Sequence, residues 1–144
     1  MDKIHVALAV AAGLSLASCE TPADPVGPRF AASLTGAQEV PGPGDPDGAG
    51  TADIKIADGT TSICYELLVR NIALATAAHI HRGERGVAGP PVVPLAAPTS
   101  RRSEACVDVT AELVAEIKAN PTAFYVNVHN AEFQAGAIRG QLGG

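Results

Sequence analysis

Histidine is the residue type in this sequence best placed to do chemistry, and the stretch "AHIHRGERGVAGPP" (78–91) holds two of the four. His79 and His81 are two apart. Another, His129, lies in "FYVNVHN". Neutral imidazoles converging from two strands suit zinc or copper. On spacing alone, HxH plus a distant histidine is a weak motif. Spacing alone favours histidines that are solvated or hydrogen-bonded at a surface, for example with His79 stacked on Tyr125 and His129 bonded to a backbone carbonyl. Other chemistries find less support. No serine sits on a recognisable nucleophile turn. No glycine loop precedes a Lys-Ser/Thr helix start. "GDPDG" offers Asp45 and Asp47 without the remaining ligands of a calcium loop, and reads as an acidic turn. Arg82, Arg85, Arg101 and Arg102 read as solvated loop charges.

The elements that must carry these residues are short strands. Side chains alternate across a strand. In "AHIH", Ala78 and Ile80 face one way and the histidines the other. In "FYVNVH", Phe124, Val126 and Val128 oppose Tyr125, Asn127 and His129. In "AIRGQL", Ile138 and Leu142 oppose Arg139 and Gln141. The apolar sets belong to the core. His79, His81, Tyr125, Asn127, His129, Arg139 and Gln141 therefore share one polar face if the three strands are neighbours.

Further strands are expected at "FAASLTGAQEV", "TADIKIAD", "SICYELLVRNI", "VVPL" and "EACVDV". "PGPGDPDGAG" (41–50) is a long loop. "TAELVAEIKANP" is the one helix, with Thr110 as its N-cap and Asn120-Pro121 as its stop. Fifteen glycines and eleven prolines in 144 residues suit many turns. The expected fold is all-β: an antiparallel, Greek-key-like β-sandwich or barrel of about seven to eight short strands with one short crossover helix. The chain is long enough for one domain and too short for two. A net charge of −5 gives no footprint for nucleic acid.

The N-terminus reads as a processing segment. Lys3 precedes an apolar run, Ile4 to Ala17, too short to span a membrane and suited to a secretory signal. "LASC" resembles a bacterial lipobox with Cys19 as the lipidated residue. Residues 1–18 are then the signal peptide, 19–29 the lipidated cysteine and a Pro-rich tether, and 30–144 the folded domain. Glu20, not aspartate, follows the cysteine, so nothing resembles an inner-membrane retention signal. The expected location is the cell envelope, lipid-anchored, on the outer membrane or in the periplasm of a Gram-negative host. Export places Cys64 and Cys106 in an oxidising compartment, where they are expected to pair. Without a CxxC pair, a thiolate metal site is disfavoured.

Four separated motifs, "LTGAQEVPGPGDPDGAGTA", "CYELLV", "AHIHRGERGVAGPPVVPL" and "FYVNVHNAEFQAGAIRGQL", resemble the chordin-type (CHRD) domain in its microbial, exported, single-domain form. The resemblance covers about Phe30 to Leu142. It implies a β-sandwich outside the cytoplasm. It implies no biochemical activity, although chordin itself carries several such domains and binds bone morphogenetic proteins. The lipobox, the tether, a small disulfide-stapled sandwich and the lack of a strong catalytic constellation make a surface-tethered binding or structural module, with an extracellular or envelope protein partner, the main expectation. The motif positions are Gln38, Glu39 and Pro41, then His79 and His81, then Asn127 and His129, then Arg139, Gly140 and Gln141. Where the family usually ends "GEIRGQL" this chain has Ala137, so an acidic contribution to an ion or partner contact is missing. The pairing of HxH with a later histidine strengthens the alternative reading, a copper- or zinc-binding envelope protein using His79, His81 and His129. Glu39 is an auxiliary candidate. HxH on a sandwich strand is similar to copper/zinc superoxide dismutases at the level of fold alone. Those enzymes need more histidines than the three here, so a redox enzyme is the weaker extension and no catalytic residue is assigned.

Overall fold

The computed structural model describes residues 26–143. The signal segment, Cys19 and most of the tether lie outside the described residues. Eight strands and one helix follow in chain order: β1 (Arg29–Thr35), β2 (Ala49–Ile56), β3 (Ser62–Arg70), β4 (Ala75–Arg82), β5 (Pro91–Leu95), β6 (Arg102–Asp108), α1 (Ala111–Ala119), β7 (Phe124–Asn130) and β8 (Ile138–Gln141). Every strand pairing is antiparallel. The strands form one sheet in the order β5-β4-β7-β8-β1-β2-β3-β6.

The sheet curls until its two edges meet. Ala96, just past β5, donates its N–H to the Tyr65 hydroxyl of β3 at 2.7 Å, and its carbonyl accepts from Ser103 Oγ of β6 at 2.7 Å. The two layers expected of a sandwich are thus the two halves of a nearly closed barrel. Period-2 alternation fills its interior. Leu34, Ile54, Ile63, Leu67, Ile80, Val126 and Ile138 are all 0–1 % exposed. α1 is the crossover from edge strand β6 to central strand β7, and it adds Val114 and Ile117 to the core. Its N-cap is the expected Thr110, whose hydroxyl accepts from Leu113 N–H at 3.2 Å. Lys118 near its end pairs with Asp58.

Cys64 and Cys106 face each other directly across β3 and β6 and form a disulfide. β6 starts at Arg102, earlier than "EACVDV" suggested. Arg102 bonds Glu66 on β3 and Glu104 on β6, so it is tied to the ladder instead of being a solvated loop charge. Arg82, likewise at a strand end, pairs with Glu116 of the helix. At the other edge, β5 contains Pro91 and Pro94. Among the described residues no helix is long and apolar enough to cross a membrane.

Candidate metal centre

The two strands that carry the histidines, β4 and β7, are neighbours, and β8, which carries Arg139 and Gln141, lies on the far side of β7. Their register puts His79 opposite Asn127 and His81 opposite Tyr125; on the other side of β7, Asn127 faces Arg139 and Tyr125 faces Gln141. All the residues singled out by alternation therefore share the outer face of one half of the barrel. That face is not open. Tyr125, Asn127 and Arg139 are 3 %, 2 % and 1 % exposed. Two loops fold over it, the β1–β2 connection (36–48) and the β4–β5 connection (83–90). The result is a second, polar layer outside the barrel core, with the histidines at its margin.

Arg139 holds the 83–90 loop from beneath. Its guanidinium donates to the Val87 and Glu84 carbonyls, each at 2.9 Å, and lies 3.4 Å above the Tyr125 ring. Gln141 Nε2 donates to the carbonyls of Gly83 at 2.6 Å and Phe124 at 2.9 Å. The Tyr125 hydroxyl accepts from the Gly89 N–H and donates to the Gly89 carbonyl. On its other face Tyr125 stacks on His81, ring centroids 4.8 Å apart and 15° from parallel. The stacking partner is His81, not His79, because the register pairs His81 with Tyr125.

Glu39 arrives on the 36–48 loop. Both of its carboxylate oxygens accept from Asn127 Nδ2, at 2.6 and 2.8 Å. Burial pushes its pKa up to about 7, against the opposing pull of the Asn127 hydrogen bond and the Arg139 charge. Its pocket needs glycine. A Cβ on Gly136 would stand 2.3 Å from Glu39 Oε2, and one on Gly44 would stand 2.5 Å from Glu39 Cγ. Gly136 also has φ +153°. Ala137, the departure from the family ending, is fully buried, and its carbonyl accepts from the Asp45 N–H. Gln38 lies at the loop margin, donating to the Ser33 carbonyl and accepting from Arg85.

His79, His81 and His129 form a cluster in which one nitrogen from each lies within 4.8 Å of the others. Among the described residues no cysteine or carboxylate joins them. Two rings are oriented by backbone. His81 Nδ1 donates to the Gly89 carbonyl and His129 Nδ1 to the Gln134 carbonyl, each at 2.9 Å. A carbonyl accepts only, so the proton is on Nδ1 and the lone pair on Nε2 in both. His81 Nε2 is buried and has no partner. His129 Nε2 accordingly accepts a hydrogen bond from His79 Nδ1–H at 3.2 Å. Two nitrogens on a zinc tetrahedron with ordinary bond lengths stand roughly 3.3 Å apart. Burial first, then the neighbouring imidazoles, hold the His79 pKa below its usual value; burial also lowers that of His81. Rings with a fixed donor atom backed by an outer hydrogen bond, as in His81 and His129, are the arrangement metal-binding histidines adopt.

Sequence reasoning offered a backbone carbonyl as a partner for His129 without naming Gln134, and missed the Gly89 carbonyl that orients His81. Gln134 carries no motif. Gly89 has a signal in retrospect: a Cβ there would lie 1.6 Å from the Arg82 carbonyl, so only glycine lets the loop return close enough to meet His81.

The family model of the CHRD domain matches residues 30–142. The chain belongs to the CHRD domain family. Neither the curated proteins nor the solved structures compared with it contain a match. In this CHRD domain three of the four motifs meet in space: "GAQEVP" supplies the loop bearing Glu39, "HIH" and "VNVH" the histidines, and "RGQL" the arginine and glutamine that pin the 83–90 loop, while "CYELLV" lies on β3.

Proposed function

We propose that this CHRD domain is an extracytoplasmic binding module whose ligand is a transition-metal ion, copper or zinc, held by His79, His81 and His129. The observation that carries the reading is the histidine cluster, with two rings locked into one tautomer by backbone carbonyls and a buried, unpartnered nitrogen on His81. An unpaired buried acceptor costs about 1–3 kcal/mol, and a metal bond removes that cost. A softer cation such as copper or zinc fits nitrogen donors; magnesium and calcium prefer oxygen.

The decisive experiment is metal uptake by the full-length protein in detergent, with Cu(II) and Zn(II), read by elemental analysis and titration. One ion per chain is expected. His81→Ala should weaken uptake by at least about tenfold, the scale of losing one ligand or its support, while circular dichroism stays that of a folded β protein. A folded wild type that takes up neither ion would leave the histidines as hydrogen-bonded members of the polar layer and the module reading without its ligand.

The same proposal places the domain on the cell envelope, anchored through acyl chains on Cys19, with the Pro-rich segment as a tether. The "LASC" motif supports it. Cys19→Ala should move the protein out of the detergent-soluble membrane fraction of its host. Retention there would reject the lipid anchor. A protein partner in the envelope, which the family suggests, would meet the outside of the 36–48 and 83–90 loops, since the side chains beneath them are covered.

A further inference from the structure

Three histidines do not complete a coordination sphere. Structural zinc sites close with four protein ligands, whereas sites with three keep a position for an exogenous one. Among the described residues no fourth histidine, cysteine or carboxylate belongs to the cluster. The nearest candidate from the sequence, Glu39, is committed to Asn127.

The three rings are not equivalent in their surroundings. His81 is walled in by the Tyr125 ring and the Gly89 carbonyl. His79 and His129 instead form part of the wall of an open depression of about 390 Å³, together with Thr76, Ala77, Ala131 and Gln134. A larger depression of about 570 Å³ near Glu84 and Gln141 does not include any of the histidines. This depression gives solvent an approach to the cluster on the side of His79 and His129.

Charge selects what would enter. Three neutral imidazoles leave a divalent ion's charge uncompensated, and a bound cation is the largest local charge in such a site. The buried carboxyl of Glu39 is paired elsewhere. A monoanion small enough for the depression halves the imbalance; a further neutral donor leaves it unchanged.

We infer that the metal centre keeps an exchangeable position facing the Thr76–Gln134 depression, and that this position takes a small monoanion. The inference rests on the metal reading above and adds to it an open, anion-accepting site, the property that separates a reactive or sensing centre from a storage site. Binding is a simple association: the anion donates a lone pair, water or nothing leaves, and no bond within the protein breaks.

Azide is the probe. The full-length protein in detergent is loaded with one Cu(II), freed of excess copper, and titrated with sodium azide under electron paramagnetic resonance and visible absorption. The expected result is a saturable change in the copper spectrum with a new ligand-to-metal charge-transfer band, and copper still protein-bound after filtration. Thr76→Trp and Ala131→Trp put bulk into the depression at exposed positions. Each should weaken azide by at least tenfold with copper uptake unchanged. Two variants guard against one failing to fold. Copper bound normally with no spectral response to azide overturns the inference and leaves the metal reading standing. So does azide that acts equally on wild type and both tryptophan variants, or that only strips copper into the filtrate. Failure of the folded wild type to bind copper at all overturns both.

Discussion

Glu39 shows how single residues in the polar layer trade stability for position. Its carboxyl is 6 % exposed, and burial raises its pKa from 4.5 to about 7. Below pH 4.5 the folded and unfolded chains both hold the proton, and the group carries no penalty. Between 4.5 and 7 the unfolded chain ionises first, so stability falls as pH rises. Above 7 the loss is complete, on the order of 3 kcal/mol. Glu39→Gln keeps an acceptor for Asn127 Nδ2 and removes the titration. It should be more stable than wild type above pH 7 and no more stable at pH 4, measured by urea unfolding across that range. An identical pH slope in the two proteins would assign the titration to another group. The face on which His79, His81, Asn127 and Arg139 lie was legible in the sequence, because a period of two leaves one choice once the apolar set is placed inside. Their coverage was not. It depends on contacts such as Asn127–Glu39 and Arg139–Val87, 88 and 52 residues apart, which no local pattern encodes.

Among the elements, the strands and the helix were readable wherever alternation or a cap supplied a local signal. Thr110 and Asn120 bracket α1 as read from sequence. Boundaries moved where a long-range pair extended a strand, as Arg102 does for β6 through Glu66. The adjacency of β4 with β7 was the step that sequence order left open, since 41 residues of chain separate Arg82 from Phe124. That pairing brings His129 beside His79. The barrel's closure was equally hidden: the bonds from Ala96 to Tyr65 and Ser103 join segments that share no motif. The loops carried more of the site than their composition implied. In "GVAGPP", Gly89 does not merely turn the chain; its carbonyl fixes the His81 ring and its N–H the Tyr125 hydroxyl.

For the whole molecule, the disulfide determines how firmly edge strand β6, one side of the barrel's closure, is held to the sheet. Cys64–Cys106 joins edge strand β6 to β3 and closes a loop of 42 residues. On the chain-entropy estimate that link contributes up to about 4 kcal/mol. The crossover helix and β7 follow β6 in the chain, so the staple also steadies the segment leading to His129. Cys64→Ser/Cys106→Ser should unfold at markedly lower urea concentration than the oxidised protein, and reduction with dithiothreitol should reproduce the loss. Equal midpoints for oxidised and serine proteins would mean that the β3–β6 ladder alone holds the edge strand in place.

The composition of β5 has a consequence for molecules crowded together on a surface. Two of its five residues, Pro91 and Pro94, have no N–H to offer. The opposite margin carries Arg102, Glu104 and Asp108. A neighbouring copy seeking to add a strand to either side meets missing donors on one and charge on the other. Domains brought to high local concentration can thus collide repeatedly without fusing into a continuous sheet, which keeps each histidine cluster at the margin of a separate, self-contained barrel.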